Sequence, residues 1–148
     1  MVHALEDINQ LLKPDGCLID IHPIREAPFI KVFRGSDLLS VESDPGYDYD
    51  EGIQHAEAAL AEVLHRGSYR VERENEFELV TSASSAPELQ DYWEQYGAFD
   101  DTPKDEAMIV RKNEVYTRAD EIMQNASGAE ISCHERARIT RLEPNVRE

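Results

Sequence analysis

The feature that most constrains this fold is an apolar strand that directly follows the first helix of the chain. Residues 8–23 read INQLLKPDGCLIDIHP. Pro14 and Gly16 end a helix over 3–13, because proline cannot continue a helix and glycine supplies the turn. The strand over 17–21 carries one charged residue and no alternation of polar and apolar positions. We therefore expect it to be covered on both faces, as a strand inside a parallel sheet is.

Hydrophobic periodicity assigns the rest of the chain to further elements of one domain, residues 1–148. The pattern predicts a β-hairpin over 28–43, a helix over 51–66, a strand or strand pair over 68–81, helices over 84–98 and 103–125, and a last strand over 130–142. Ser84 and Ser85 are expected to cap the helix over 84–98, and Gly67 and Gly128 to end helices. The expected class is α/β with α+β character, about four helices and a small mixed sheet.

Charge and cysteine usage limit the kind of partner and compartment. The chain has 31 Asp and Glu against 15 Lys and Arg, a formal net charge of −16. This excess argues against nucleic-acid binding, which needs clustered cations, and against an anionic membrane surface. Neither a signal peptide nor an apolar run of membrane-spanning length is found. We expect Cys17 and Cys133 to be reduced thiols in the cytoplasm, with a disulfide between adjacent strands as the alternative.

The LKPDG turn and the following strand, which ends in DIHP, resemble one junction of the class I S-adenosylmethionine-dependent methyltransferases. In that family a helix ends in a similar LKPGG turn before the fifth strand of the sheet. The later helix over 51–66, strand over 68–81 and antiparallel strand over 130–142 follow in the same order. The resemblance implies the C-terminal half of a Rossmann-like fold, with an extra hairpin and a helical insertion at about 84–125.

The resemblance also implies that the cofactor-binding half is missing. The sequence has no GxGxG motif and no strand before residue 17, so we expect no cofactor site and no catalytic activity in this chain alone. The preferred hypothesis is a non-catalytic binding or assembly module, or a fragment of a longer methyltransferase. The alternatives are the substrate-side part of an active methyltransferase, which would bind S-adenosylmethionine when another chain completes it, and a small ligand-binding α+β dimer with a pocket under the helix over 84–98.

An incomplete sheet of this kind leaves one strand edge unpaired. In the complete fold a fourth strand pairs with the strand that here spans Cys17 to Ile21. Unpaired backbone groups at a sheet edge invite association with another strand. The hairpin over 28–43 could cover this edge, or a partner protein could pair with it. We predict a symmetric homodimer through the edge, since two-fold dimers are the commonest soluble oligomers.

Four residues are candidates for substrate binding. His22 and Arg25 follow the first strand and read either as a substrate-binding or acid–base pair near pH 7, or as part of a turn in which Arg25 pairs with an acid. Trp93 and Tyr96 belong to an aromatic cluster on the helix over 84–98, which covers either a core or an apolar pocket.

No residue is predicted to be catalytic or to bind a metal. His55 and His65 are ten residues apart on one helix, which does not suit chelation. His55 with its neighbours Asp48, Asp50 and Glu51 could hold a divalent cation loosely, but these acids read better as a solvated helix start. His134 has no neighbour at a spacing that suggests a site, and no GxSxG motif is present.

Overall fold

The protein has an α+β fold. The computed structural model describes residues 1–45, 51–96 and 105–145, without the side chains of Glu51 and Tyr96. Within these ranges the chain forms four helices and a five-stranded antiparallel sheet. The elements in chain order are α1 (Val2–Leu11), β1 (Leu18–Pro23), β2 (Phe29–Arg34), β3 (Asp37–Ser43), α2 (Glu51–His65), β4 (Tyr69–Ala83), α3 (Ala86–Tyr96), α4 (Glu106–Asn125) and β5 (Glu130–Pro144).

Strand β5 organises the sheet, because three other strands pair with it. The register of β1 runs from Leu18 opposite Leu142 to Pro23 opposite Ala137, and β2 pairs with residues 130–134 of β5. Strand β3 pairs with β2 as a hairpin, and β4 pairs with β5. The chain divides into two compact units. The first is Met1–Arg25, Asp48–Phe77 and Arg136–Glu148, and the second is Glu26–Tyr47 and Glu78–Glu135.

The first unit packs helices α1 and α2 around a small core. Val63, Tyr69 and Leu142 are buried there, and the core is flanked by partly buried apolar side chains of α1, α2 and β1. The Tyr69 hydroxyl donates a hydrogen bond to the Leu5 carbonyl (2.7 Å), and the Asn9 amide donates one to the Ser68 carbonyl (2.5 Å). These bonds fix α1 beside the start of β4, although α1 has no fully buried residue of its own.

The second unit contains the larger core. Its buried members come from β2, β5, α3 and α4: Ile30, Val32, Ala86, Leu89, Val115, Tyr116, Ala119, Ile131 and Cys133. In β2 the buried residues Ile30 and Val32 are two positions apart, as expected for one face of a strand. Burying this set is the main favourable term for the unit, at roughly 1.5–3 kcal/mol for each large apolar side chain.

The helix boundaries follow the capping residues. Ser85 Oγ accepts a hydrogen bond from the Glu88 amide, and the Glu88 carboxylate accepts one from the Ser84 amide (2.9 Å), which is a capping box. The Asp105 carboxylate caps α4 by accepting from the Ala107 amide (3.0 Å). The predicted start of this helix at 102–104 lies outside the described residues.

The prediction that the first strand is covered on both faces is wrong. Ile19 and Ile21 of β1 are 47% and 59% exposed, whereas Leu18 packs on the core of the first unit. Helices α1 and α2 supply apolar side chains to one face only, and β1 pairs with β5 in the antiparallel direction. The α+β class and the hairpin are confirmed, but the sheet is antiparallel rather than mixed, and the Rossmann-like arrangement is not confirmed.

One further finding concerns membranes. Within residues 1–45, 51–96 and 105–145 no helix is both long enough and apolar enough to cross a bilayer.

Candidate functional site

His22 lies in the first unit between two carboxylates. Its Nδ1 is 2.6 Å from Asp20 Oδ2, and its Nε2 is 3.5 Å from Glu57 Oε1. Asp20 and His22 are two positions apart on β1, so both side chains lie on the same face, while Glu57 comes from α2. Arg25 Nε is 3.4 Å from the second oxygen of Glu57. We call Asp20, His22, Arg25 and Glu57 the His22 cluster.

The geometry of the His22 cluster suits an ion-pair network better than acid–base chemistry. The His22 side chain is only 12% exposed, and no acceptor among the described residues is aligned to hydrogen-bond its Nε2. Arg25 contacts an acid, as the turn interpretation predicts. Asp20 fixes the orientation of the imidazole through its contact with Nδ1.

The network of charges continues along strands β4 and β5. Arg138 lies opposite His22 in the register and contacts Glu74 (3.7 Å) and Glu76 (3.2 Å). Arg136 also pairs with Glu76. Bonding to Glu76 raises the pKa of Arg138 above its usual value, so the guanidinium stays charged. The acids of β4 in this unit are therefore largely neutralised by the arginines of β5.

A second histidine cluster lies in the second unit. His134 Nε2 is 2.9 Å from Ser132 Oγ, and His134 Nδ1 is 3.1 Å from Glu78 Oε1. Lys31 Nζ is 3.6 Å from the same Glu78 oxygen, and the Phe33 ring packs beside the imidazole, with centroids 5.9 Å apart. The contact with His134 is the main cause that lowers the pKa of Glu78 below its usual value. We call Ser132, His134, Glu78 and Lys31 the His134 cluster.

The His134 cluster has the atom order of a serine–histidine–acid relay but not its access. Ser132 is 6% exposed near the start of β5. His134 Nδ1 lies 3.1 Å from Glu78 Oε1 but makes no well-aligned hydrogen bond within the described residues. A nucleophilic serine must reach its substrate and needs donors for the oxyanion. The cluster therefore reads as a polar network that satisfies half-buried groups.

The predicted aromatic candidates divide between core and surface. Trp93 packs against the core of the second unit and meets the Tyr92 ring edge-on at a centroid distance of 5.2 Å. This position matches the core interpretation of Trp93. The side chain of Tyr96 lies outside the described residues. His22 and Arg25 belong to the first unit and Trp93 to the second, so a pocket shared by all four candidates stays a prediction.

A groove lies beside helix α3 in the second unit. One wall is the end of β4, residues 80–83, and the other is α3 with Pro87, Glu88, Asp91 and Tyr92. Its volume is about 720 Å³ and it is open to solvent along its length. Trp93, for which the sequence left a core and a pocket open, is not among the lining residues of this groove.

No group of three His, Cys, Asp or Glu side chains in the described part of the chain is arranged to hold a metal ion. His55 lies on α2, but its predicted neighbours Asp48 and Asp50 lie outside that part. Gly35 occupies the turn of the β2–β3 hairpin, not a turn from a strand into a helix, so it does not form a phosphate-binding loop.

Comparison with known proteins yields no relative. No protein-family model, no curated protein and no solved structure matches this chain. The resemblance of the LKPDG junction to methyltransferases therefore stays a prediction.

Sequence reasoning missed the His134 cluster and the groove. Ser132 and His134 are two positions apart in a predicted strand, which was a usable signal that they share a face. Glu78 carried no such signal, since its contact with His134 depends on how β4 pairs with β5. The groove depends on the packing of α3 against the end of β4, which periodicity alone does not predict.

Proposed function

We propose that this chain is a non-catalytic binding and assembly module that works as a symmetric homodimer joined through β1. The observation that carries the proposal is the apolar surface of that strand. Ile19 and Ile21 are about half exposed, and within the described residues β1 pairs with β5 alone. An exposed apolar strand with an unpaired edge is a site of association.

Charge supports a second copy as the occupant of this edge. Two chains of net charge −16 repel each other except where their surfaces are apolar or locally neutral. The register places Ile21 opposite Ile139 and Ile19 opposite Arg141, so these pairs share a face. Arg141 is compensated by Glu72 at 2.5 Å. The face of β1 is therefore apolar and locally neutral.

One register of β1 against its own copy is self-complementary. With the two-fold axis at Ile21, each Ile21 meets its equivalent and each Ile19 meets Pro23 of the second copy. On the other face Asp20 of one copy lies opposite His22 of the other, so a carboxylate meets an imidazole on both sides of the axis. This register joins apolar residues on one face and polar pairs on the other.

The proposal places the protein in the cytoplasm. Cys17 and Cys133 are both free thiols, which suits a reducing compartment.

Light scattering of matched variants tests the homodimer. The wild-type chain is expected to show twice its mass of 16.9 kDa at micromolar concentration. Ile21→Lys replaces the cross-strand isoleucine pair by two like charges at the axis, a loss of about 1 kcal/mol or more, which weakens the dimer about fivefold or more. Val41→Lys is the control, because Val41 is 49% exposed on β3 of the second unit. Wild-type protein with the mass of one chain, or equal effects of the two variants, contradicts the proposal.

A further inference from the structure

The groove beside α3 has the form of a site for an extended peptide. Its strand wall, residues 80–83, is the end of β4, and within the described residues β4 pairs with β5 only. Along the edge of β4 that does not face β5, every second residue directs its N–H and C=O away from the sheet. A peptide that adds a strand there satisfies these groups, which is a recurrent mode of peptide recognition.

Helix α3 forms the second wall of the groove, beside residues 80–83 of β4. Leu89 anchors α3 in the core with no exposed surface, and Ala86 is also buried, so the helix is fixed by its inner face. The capping box of Ser84 and Glu88 fixes its first turn. At the end of the strand wall, Ala83 packs against the same core. The groove volume of about 720 Å³ lies within the range of binding clefts.

The lining chemistry selects the charge of the peptide. Among the described residues that line the groove, the charged ones are Glu88 and Asp91, and both are acidic. Hydrogen bonds from Ser84 lower the pKa of Glu88 below its usual value, so its carboxylate stays ionised. Val80 and Tyr92 add exposed apolar surface beside these acids. The combination fits a segment in which basic and apolar residues alternate.

We infer that the groove between residues 80–83 of β4 and helix α3 binds an extended basic segment of a partner protein, which adds to the sheet as a strand beside β4. This inference adds a partner site to the proposed module, and its residues lie in the second unit, away from β1 in the sequence. The acidic chain as a whole attracts such a segment and speeds its encounter.

Peptide titrations test the charge preference. The probe is a fluorescein-labelled hexapeptide of alternating lysine and valine, followed by fluorescence anisotropy, with an alternating glutamate and valine hexapeptide as its counterpart. The basic peptide is expected to bind and the acidic one to bind at least about tenfold more weakly. No binding of the basic peptide, or equal binding of both, overturns the inference.

Two matched variants locate the site. Asp91→Lys reverses an exposed charge in the groove and is expected to weaken the basic peptide by about tenfold. Glu121→Lys reverses an exposed acid on α4 and changes the net charge by the same amount, and it is expected to change the affinity by less than about twofold. Equal effects of the two variants would mean that peptide affinity depends only on net charge, which would contradict binding in the groove.

Methylated peptides test strand addition itself. Two versions of the basic peptide carry N-methyl groups on odd or on even residues, so only one version blocks the edge that faces β4. One version is expected to lose binding and the other to keep it. Retention by both, or loss by both, contradicts pairing along one edge.

The homodimer and the groove fail separately. An Ile21→Lys chain that is monomeric yet binds the basic peptide supports both proposals, whereas a wild-type monomer that binds it refutes the homodimer alone. If Asp91→Lys lowers the mass of the assembly, a second copy occupies the groove and the peptide inference is wrong.

Discussion

The hydrogen bond from Tyr69 to α1 gives a sharp test of how the first unit is held together. Tyr69 is 2% exposed at the start of β4, and its hydroxyl donates to the Leu5 carbonyl at 2.7 Å. Burial raises the pKa of Tyr69 above its usual value, so the phenol keeps the proton that it donates. Helix α1 has no fully buried residue, so this bond adds to the packing of Val2 and Leu5 and to the Asn9 bond in docking the helix.

The expected cost of Tyr69→Phe follows from that geometry. Phenylalanine keeps the ring in the core and removes the donor only, a loss of about 0.5–1.5 kcal/mol for one buried hydrogen bond. After the substitution the Leu5 carbonyl still accepts the helical hydrogen bond from the amide four residues later, so the cost is about 1 kcal/mol. With a urea dependence of about 2 kcal/mol per molar, the unfolding midpoint falls by ~0.5 M.

Urea unfolding followed by circular dichroism measures this shift, and amide hydrogen exchange shows where it acts. Exchange is expected to accelerate in α1 before it does so in β5. Ser36→Ala is the control, because Ser36 is exposed in the β2–β3 turn, and its free energy of unfolding is expected to stay within about 0.5 kcal/mol of wild type. Equal midpoints for Tyr69→Phe and the control, with unchanged exchange in α1, would refute the docking role of this bond.

Two further predictions concern titratable groups. Burial raises the pKa of Glu135 in the folded chain above its pKa in the unfolded chain. The folded chain therefore loses stability as the pH rises above the pKa of the unfolded chain. Glu135→Gln is expected to raise the melting temperature at pH 7 and to leave it unchanged near pH 3, and an equal shift at both pH values would contradict this. Burial also raises the pKa of Cys133 to about 12, whereas Cys17 is partly exposed. Ellman's reagent at pH 8 is expected to react rapidly with wild type and slowly with Cys17→Ser, and a fast phase that survives in Cys17→Ser would show the opposite.

Most of the secondary structure could be predicted from the sequence. Gly67 takes a φ of 71° and Gly128 a φ of 76°, the left-handed conformation that favours glycine after a helix, as their positions predict. The hairpin and the final strand also follow from local pattern, because alternation and turn residues act over a few positions.

The sequence does not determine which strands pair. The apolar run of β1 suggested cover on both faces, and the LKPDG turn suggested a parallel sheet. Strand β1 instead pairs with β5, which lies more than a hundred residues later. Such pairing depends on the register between distant strands and on which helices supply apolar faces. Local sequence patterns predict neither of these.

The candidate site shows the same division between local and distant partners. Asp20 beside His22 and Ser132 beside His134 could be found from strand periodicity alone. Their acidic partners Glu57 and Glu78 could not, since each comes from another element.

Disulfide capture at the proposed two-fold axis tests the homodimer most directly. In the proposed register, residue 21 of each copy lies opposite residue 21 of the other, at the Cα separation of about 4.5–5.5 Å that a disulfide spans. In a Cys17→Ser background, Ile21→Cys is therefore predicted to form a covalent dimer rapidly under mild oxidation, while Val41→Cys forms little. Equal slow cross-linking of both variants, with a scattering mass of one chain, would contradict the assembly.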